Sequence, residues 1–205
     1  GRLASGVQFL DLLQVARQFC LLNGLPETLH DRPPLVLKAT VTMPGISPRR
    51  VIAVVNHLRS FIGIELIGGD GLRVRAKRTA QAESTANLLQ ALQSANPGVP
   101  VISIGDYNAS EFNDGYTDPI AILKGTPTPD DQVVVDESAD LVTPDYSNLT
   151  DSLPADQRYS FIFEGTPQAL DHVLVNTVGA GLVSRYAIAR NNADFPEGLL
   201  FAGDV

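Results

Sequence analysis

Gly105-Asp106-Tyr107-Asn108 is the motif whose residue types and spacing most readily carry chemistry, and it follows the apolar run 101–104. On an extended chain Asp106 and Asn108 point to the same side. A carboxylate and a carboxamide placed in this way can bind a hard cation and orient a water molecule or a phosphate oxygen. Because glycine, aspartate and asparagine are also common turn residues, a plain turn is the alternative interpretation.

Two further motifs place a histidine beside polar residues. Asn56-His57-Leu58 ends the apolar run 51–55, and a histidine there could donate to a phosphate oxygen. Asp171 and His172 lie inside the apolar segment 169–175, where an ionisable pair is costly unless it is paired or metal-bound. The alternatives are a structural histidine for the first motif and a charge at the exposed end of an edge strand for the second.

Alternating apolar runs predict the elements that position these motifs. Residues 35–41 and 51–55, separated by turn residues 44–48, predict an antiparallel pair, and further strands are predicted at 101–104, 159–163 and 169–175. A helix is predicted over 77–93, where Arg78 and Gln81 share one face. Arg78 could reach a phosphate from there, and the alternative is that it is ordinary surface charge. Residues 61–72 and 126–158 are predicted to be loops, the second with a short helix at 136–141. A helix between strands indicates an α/β fold.

Composition bounds the partners of the chain. With 205 residues and 44% hydrophobic content, one domain is expected. The sequence contains no run of about 18 uncharged apolar residues, the length that a membrane-spanning helix needs. The single cysteine, Cys20, excludes an internal disulfide. Net charge is −8, yet residues 49–78 hold seven basic and two acidic residues. A polyanion would therefore be bound locally, by this basic segment and by bridging metal ions.

Taken in order, the motifs resemble the endonuclease/exonuclease/phosphatase (DNase I-like) superfamily, and within it the extracellular nucleases of bacteria that degrade environmental DNA. The matching pattern is Asn-His-Leu-x-Ser at 56–60, Arg-x-x-Gln-Ala at 78–82, Gly-Asp-Tyr-Asn-Ala at 105–109, and Tyr-Ser-Phe-x-Phe-x-Gly-x-x-Gln-Ala-Leu-Asp-His at 159–172. The resemblance implies a four-layered α/β sandwich of two facing mixed β-sheets flanked by helices, with the catalytic centre at one rim between the sheets.

The resemblance also implies phosphodiester hydrolysis by in-line attack of water, with Mg²⁺ as the metal and Mn²⁺ or Ca²⁺ as alternatives. The residues that it implicates in catalysis are His57, Asp106, Asn108 and Asp171. Those that it implicates in metal binding are Asp106, Asn108 and Asp171, and those in substrate binding are Asn56, Arg78 and His172.

Two parts of the family pattern have no counterpart in residues 1–205: the N-terminal strands with their Asn and Glu, and a C-terminal Ser-Asp-His triplet. We therefore expect a partial domain, completed by the rest of the polypeptide, of a secreted or cell-surface nuclease whose substrate is DNA. Isolated, it is expected to be inactive. The alternatives are a phosphatase or lipid phosphodiesterase of the same superfamily, or a degenerate, catalytically silent binding or adhesion module.

Overall fold

The computed structural model describes residues 6–14, 19–22, 25–191 and 193–194. Its strands are β1 (Gly6–Gln14), β2 (Phe19–Leu22), β3 (Leu25–Thr28), β4 (Leu35–Met43), β5 (Ile46–His57), β6 (Val101–Asp106), β7 (Ser147–Asn148), β8 (Phe161–Phe163), β9 (Thr166–Gln168) and β10 (Asp171–Val175). Its helices are α1 (Gly69–Ala95), α2 (Pro119–Lys124) and α3 (Thr177–Ala180), joined by short 3₁₀ turns at Asp130–Gln132, Leu149–Ser152 and Ala155–Gln157.

Six of the strands form one mixed sheet in the order β1-β4-β5-β6-β10-β7, and β2–β3 and β8–β9 form two-stranded sheets. The predicted antiparallel pair is confirmed as β4 and β5, but its turn is Pro44-Gly45 alone, where Gly45 has φ of +78°. Ser47 and Pro48, predicted as turn residues, lie in β5, because the ladder with β4 extends to the pair Met43–Ile46. Strand β6 lies parallel to β5, and α1 forms the crossover between them. The α/β class predicted from the sequence is confirmed.

Helix α1 begins eight residues before its predicted start, within the segment that its four glycines had marked as a loop. The glycines serve the helix start instead. Gly68 precedes the helix at φ of +90°, and a Cβ at Gly71 would lie 1.8 Å from the Leu66 carbonyl oxygen. Only glycine therefore allows this close contact between the loop and the first turn of the helix.

The prediction of a helix at 136–141 is wrong. These residues follow an irregular path that is held by side-chain hydrogen bonds. The Ser138 hydroxyl donates to the Glu83 carboxylate of α1 at 2.8 Å, and the backbone N–H of Val142 donates to the Asp140 side chain at 3.1 Å. The second bond, from a backbone N–H to a nearby side chain, competes with helical backbone bonds.

The core lies between the sheet and the first two helices. It is formed by Val36, Ile52, Val54, Val101 and Leu174 of the sheet, Ala82, Ala86 and Leu89 of α1, and Ile120, Ile122 and Leu123 of α2. Side chains on the opposite face of the sheet are less buried, and Val55 is 41% exposed. That half-open apolar face is the one against which a facing sheet would pack. In the described ranges, no helix is both long and apolar enough to cross a bilayer.

Candidate active site

His57, Asp106 and Asp171 form one row across three neighbouring strands. The register of the parallel pair β5–β6 places His57 beside Asp106, and that of the antiparallel pair β6–β10 places Asp171 on its other side. Residues in one row project from the same face of a sheet, here the half-open one. The His57 Nε2 atom lies 3.5 Å from Asp106 Oδ2. Three of the four predicted catalytic residues are thus brought together at the rim of the sheet.

The two carboxylates of this row suit a divalent cation. Like charges directly opposite each other across two strands destabilise a sheet unless a cation lies near them. No hydrogen bond or ion pair reaches the Asp171 carboxylate from the described part of the chain. Within that same part, no three His, Cys, Asp or Glu residues cluster into a complete metal site. Magnesium fits such a set, since it is usually bound by one or two carboxylates together with waters and substrate phosphate oxygens.

Asn108 reaches the same rim through a turn. Its backbone N–H donates to Asp106 Oδ1 at 2.8 Å, and its φ is +48°. The chain is therefore turned at Asn108, whereas the sequence interpretation assumed an extended chain. The turn interpretation of this motif is therefore confirmed, and its role as a site stays a prediction. Because the Asn108 amide nitrogen donates to the Leu58 carbonyl at 3.0 Å, its Oδ1 atom remains available as a metal or phosphate-orienting ligand.

A basic cavity of about 450 Å³ borders the row on the β5 side. Its walls include Arg32 and Arg59 besides His57, Asp106 and Asn108, and also Asp31, whose carboxylate is paired with the Lys77 ammonium at 3.0 Å. The Arg32 guanidinium donates to His57 Nε2, which leaves the proton of a neutral imidazole ring on Nδ1. This cavity offers donors and positive charge to a phosphate group beside the two carboxylates.

On the opposite face of the sheet, Asn56, Gly105 and His172 form a second row. A Cβ at Gly105 would lie 2.0 Å from the Asn56 carbonyl oxygen, and φ there is +138°, so glycine is required. The Asn56 amide donates to Ser103 Oγ at 2.7 Å and to the Tyr107 hydroxyl at 3.3 Å. This buried cluster fixes Tyr107, and with it the two flanking residues of the turn.

His172 is buried and hydrogen-bonded on both ring nitrogens. Its Nε2–H donates to the Ala109 carbonyl at 2.7 Å, and Nδ1 accepts from the Asn148 amide at 3.1 Å. Burial lowers the pKa of His172, with the hydrogen bond to Ala109 opposing that shift. The structure does not bring Asn56 and His172 to the rim with His57 and Asp171, and their direct substrate contacts stay a prediction.

Arg78 is also buried, being 1% exposed, and it joins the two loops that carry the site. Its guanidinium donates to the carbonyls of Arg59 at 2.9 Å and Asn108 at 2.7 Å, and to the Asp114 carboxylate at 3.3 Å. Burial lowers the pKa of Arg78, and Asp114 counteracts this. Arg78 lines a further cavity of about 530 Å³, and its predicted contact with substrate stays a prediction.

Solved structures with a similar chain path include the human nocturnin catalytic domain with bound sulfate (14% identity, TM-score 0.49, 83% of this chain and 48% of that one). Others are ANGEL2, a 2′,3′-cyclic phosphatase (12%, 0.46, 84% and 56%), and D. rerio TDP2 complexed with a single-strand DNA product (15%, 0.43, 83% and 53%). All three belong to the endonuclease/exonuclease/phosphatase superfamily that the sequence motifs resemble. The chain spans about half the length of these structures. No protein-family model and no curated protein sequence matches it.

Several residues of the site were not singled out from the sequence. Arg32 and Arg59 complete the basic cavity, and the Ser103 hydroxyl is hydrogen-bonded at 2.6 Å to Tyr107, a residue of the motif to which no role had been assigned. Arg59 stood in the basic segment 49–78, so charge counting marked its region but not its role, whereas Arg32 lay outside that segment. Ser103 carried a signal of its own, since it is a polar residue at a core-facing position of a buried strand.

Proposed function

We propose that this chain forms part of a metal-dependent phosphodiesterase whose site is the row of His57, Asp106 and Asp171. The observation that carries the proposal is the register of β5, β6 and β10, which places a histidine and two carboxylates side by side on the half-open face. A basic cavity opens beside them. Carboxylates for a metal and cationic donors for a phosphate are the groups that phosphodiester hydrolysis requires.

The residues divide into two roles. Asp106, Asp171 and the Oδ1 atom of Asn108 would hold the cation, with Mg²⁺ the proposed metal and Mn²⁺ or Ca²⁺ as alternatives. Such a cation, when bound, neutralises charge on the phosphate and lowers the pKa of coordinated water. His57 and Arg32 then bind the phosphate oxygens on which negative charge accumulates, and they orient the phosphodiester for in-line attack.

Nucleic acid is the proposed substrate, and DNA in particular. The acidic chain repels a polyanion at long range, whereas Arg32 and Arg59 offer local positive charge beside the carboxylates. We also propose that the rest of the polypeptide completes the domain and that the protein acts outside the cell or at its surface. The superfamily resemblance and the acidic composition, with only three lysines, support these two proposals.

A lipid phosphodiesterase is a second candidate because the loop before α1 exposes large apolar side chains. Ile62 is 75% exposed, and Ile67 is fully exposed. Ile62 also lines a cavity that reaches Asp106 and Asp171. Hydrolysis of phospholipid in mixed micelles, measured beside hydrolysis of DNA under the same conditions, separates the two substrates.

The test uses the full-length protein and plasmid DNA with Mg²⁺, Mn²⁺, Ca²⁺ or a chelator. Cleavage is expected with at least one metal and not with the chelator. Asp106→Asn should lower the rate by on the order of 100-fold or more, since it removes a charged ligand without changing the shape of the side chain. Asp131→Asn, an exposed carboxylate in a 3₁₀ turn, is the matched control. Cleavage that survives chelation or the Asp106→Asn change would exclude this site.

A further inference from the structure

Two exposed phenylalanines stand beside the carboxylates and take no part in the function proposed so far. Phe161 and Phe163 are 44% and 51% exposed on β8, in a hairpin whose turn is formed by Glu164 and Gly165 at positive φ. Being two residues apart, they project from the same side of the strand. Their rings are stacked, with centroids 6.4 Å apart and planes inclined by 20°. Contiguous exposed apolar surface commonly marks an interaction site or a ligand-binding groove.

The two rings line a cavity of about 420 Å³ that also reaches the catalytic row. Its apolar walls are Phe61, Ile62, Phe161, Phe163 and Leu170, and its polar walls include Asp106, Asn108 and Asp171. Ser60, Asp106 and Asn108 also line the basic cavity on the other side. One cavity is therefore aromatic, its neighbour is cationic, and the proposed hydrolytic residues form the wall between them.

We propose that Phe161 and Phe163 stack on a nucleobase next to the scissile phosphodiester, so that the preferred substrate is single-stranded or unpaired nucleic acid. This inference rests on the proposed function. A nucleotide presents a flat apolar base on one side of its sugar and an anionic phosphate on the other, which matches the order of the two cavities. Bases inside a duplex are paired and stacked on each other, so only an unpaired base can lie on these rings.

A lipid chain is the competing occupant of the aromatic cavity, and the charges nearby favour a nucleotide. An acyl chain would be satisfied by apolar walls alone, whereas this cavity ends at two carboxylates and adjoins a cationic hollow. Base stacking requires a flat ring, while an acyl chain accepts any large apolar side chain. Phe161→Trp and Phe161→Leu therefore distinguish the two occupants.

The experiment measures binding of the full-length protein to a labelled single-stranded oligothymidine of about 12 nucleotides, by fluorescence anisotropy in chelator so that no cleavage occurs. Phe161→Ala should weaken binding about 5- to 150-fold, the range measured for loss of one base–aromatic stack. Phe161→Trp should retain binding and Phe161→Leu should not. An oligomer of the same length without bases should bind weakly and equally to all variants. Phe112→Ala, an exposed phenylalanine that lines the cavity of about 530 Å³, is the control and should bind as the parent does.

The other outcomes are equally decisive. Equal binding by the parent protein and Phe161→Ala, or full binding by Phe161→Leu, would overturn the stacking proposal. So would absence of oligonucleotide binding by the parent protein. Binding to phosphatidylcholine vesicles that is lost in Phe161→Ala would assign the pair to a lipid surface. Oligonucleotide binding that depends on Phe161 without any metal-dependent cleavage would refute the proposed hydrolytic function while upholding the base-stacking site.

Discussion

Replacing Arg78 with methionine keeps most of the side-chain volume and removes the buried guanidinium that joins the two site loops. Its bonds to the Arg59 and Asn108 carbonyls are 2.9 and 2.7 Å long, and each hydrogen bond from a charged group contributes about 1.5–3 kcal/mol. Relief of the cost of burying the charge offsets part of this sum. The weak bond to Asp114 adds little, because that carboxylate can rehydrate. We expect the free energy of unfolding to fall by about 3–5 kcal/mol.

Urea unfolding of the full-length protein, followed by far-ultraviolet circular dichroism, measures this loss. Phosphodiester hydrolysis by Arg78→Met should also fall at least about tenfold, since Asn108 loses the bond that fixes its backbone. Arg78→Lys keeps the charge but not the planar fork of donors, and about half of the stability loss is expected. Arg49→Met, at an exposed position of β5, should change stability by less than about 0.5 kcal/mol. A loss below about 1 kcal/mol with unchanged hydrolysis in Arg78→Met would refute the role assigned to Arg78.

Three other predictions concern the face of the sheet opposite the catalytic row. Gly105→Ala should lower the free energy of unfolding in urea by on the order of 3 kcal/mol, because its Cβ would meet the Asn56 carbonyl oxygen. Gly115→Ala, with φ of +81° but open space around the Cβ, should lower it by about 1 kcal/mol. Equal losses in the two variants would argue against the steric cause. Tyr107→Phe should lower the free energy of unfolding by about 1–2 kcal/mol and slow hydrolysis. Tyr146→Phe, whose hydroxyl makes only a 3.4 Å bond, should lower it by less. The reverse order would contradict the proposed polar cluster. Burial lowers the pKa of His172, so as pH falls the unfolded chain binds a proton at this residue before the folded protein does. The contribution of neutral His172 to stability is therefore present above about pH 6.5 and is lost as pH falls below it, by up to about 1.4 kcal/mol per pH unit. Unfolding at pH 7.5 and 5.5 should show this slope reduced in His172→Gln, and an unchanged slope would exclude His172 as its source.

The sequence predicted β4, β6 and the second half of β5, with the residues at their ends, because buried strands of aliphatic residues give clear apolar runs. The exposed first half of β5, from Ile46, has no such run and was predicted as a turn. The sequence also predicted that His57, Asp106 and Asp171 belong together. Their alignment in one row depends on strand register, which long-range pairing determines and local pattern does not. The resemblance supplied that grouping before the register was known.

Alternation within a strand explains why neighbouring residues of one motif divide between two faces. Asn56 precedes His57, and His172 follows Asp171, so each pair places one side chain at the rim and the other in the core. The period-2 rule could have shown this from the sequence alone. Arg78 could not be placed in the same way, because an arginine near the start of a predicted helix is ordinarily exposed. Only the packed structure shows the carbonyl groups that its buried guanidinium contacts.

The most direct measurement is the affinity of the full-length protein for Mn²⁺, followed by electron paramagnetic resonance as free Mn²⁺ disappears. If Asp106 and Asp171 hold the cation, Asp106→Asn and Asp171→Asn should each weaken one binding site by about tenfold or more, in step with their loss of hydrolysis. Asp131→Asn should bind as the parent does. Unchanged Mn²⁺ affinity in both site variants, with hydrolysis retained, would contradict the assignment of this row as a metal-dependent phosphodiesterase site.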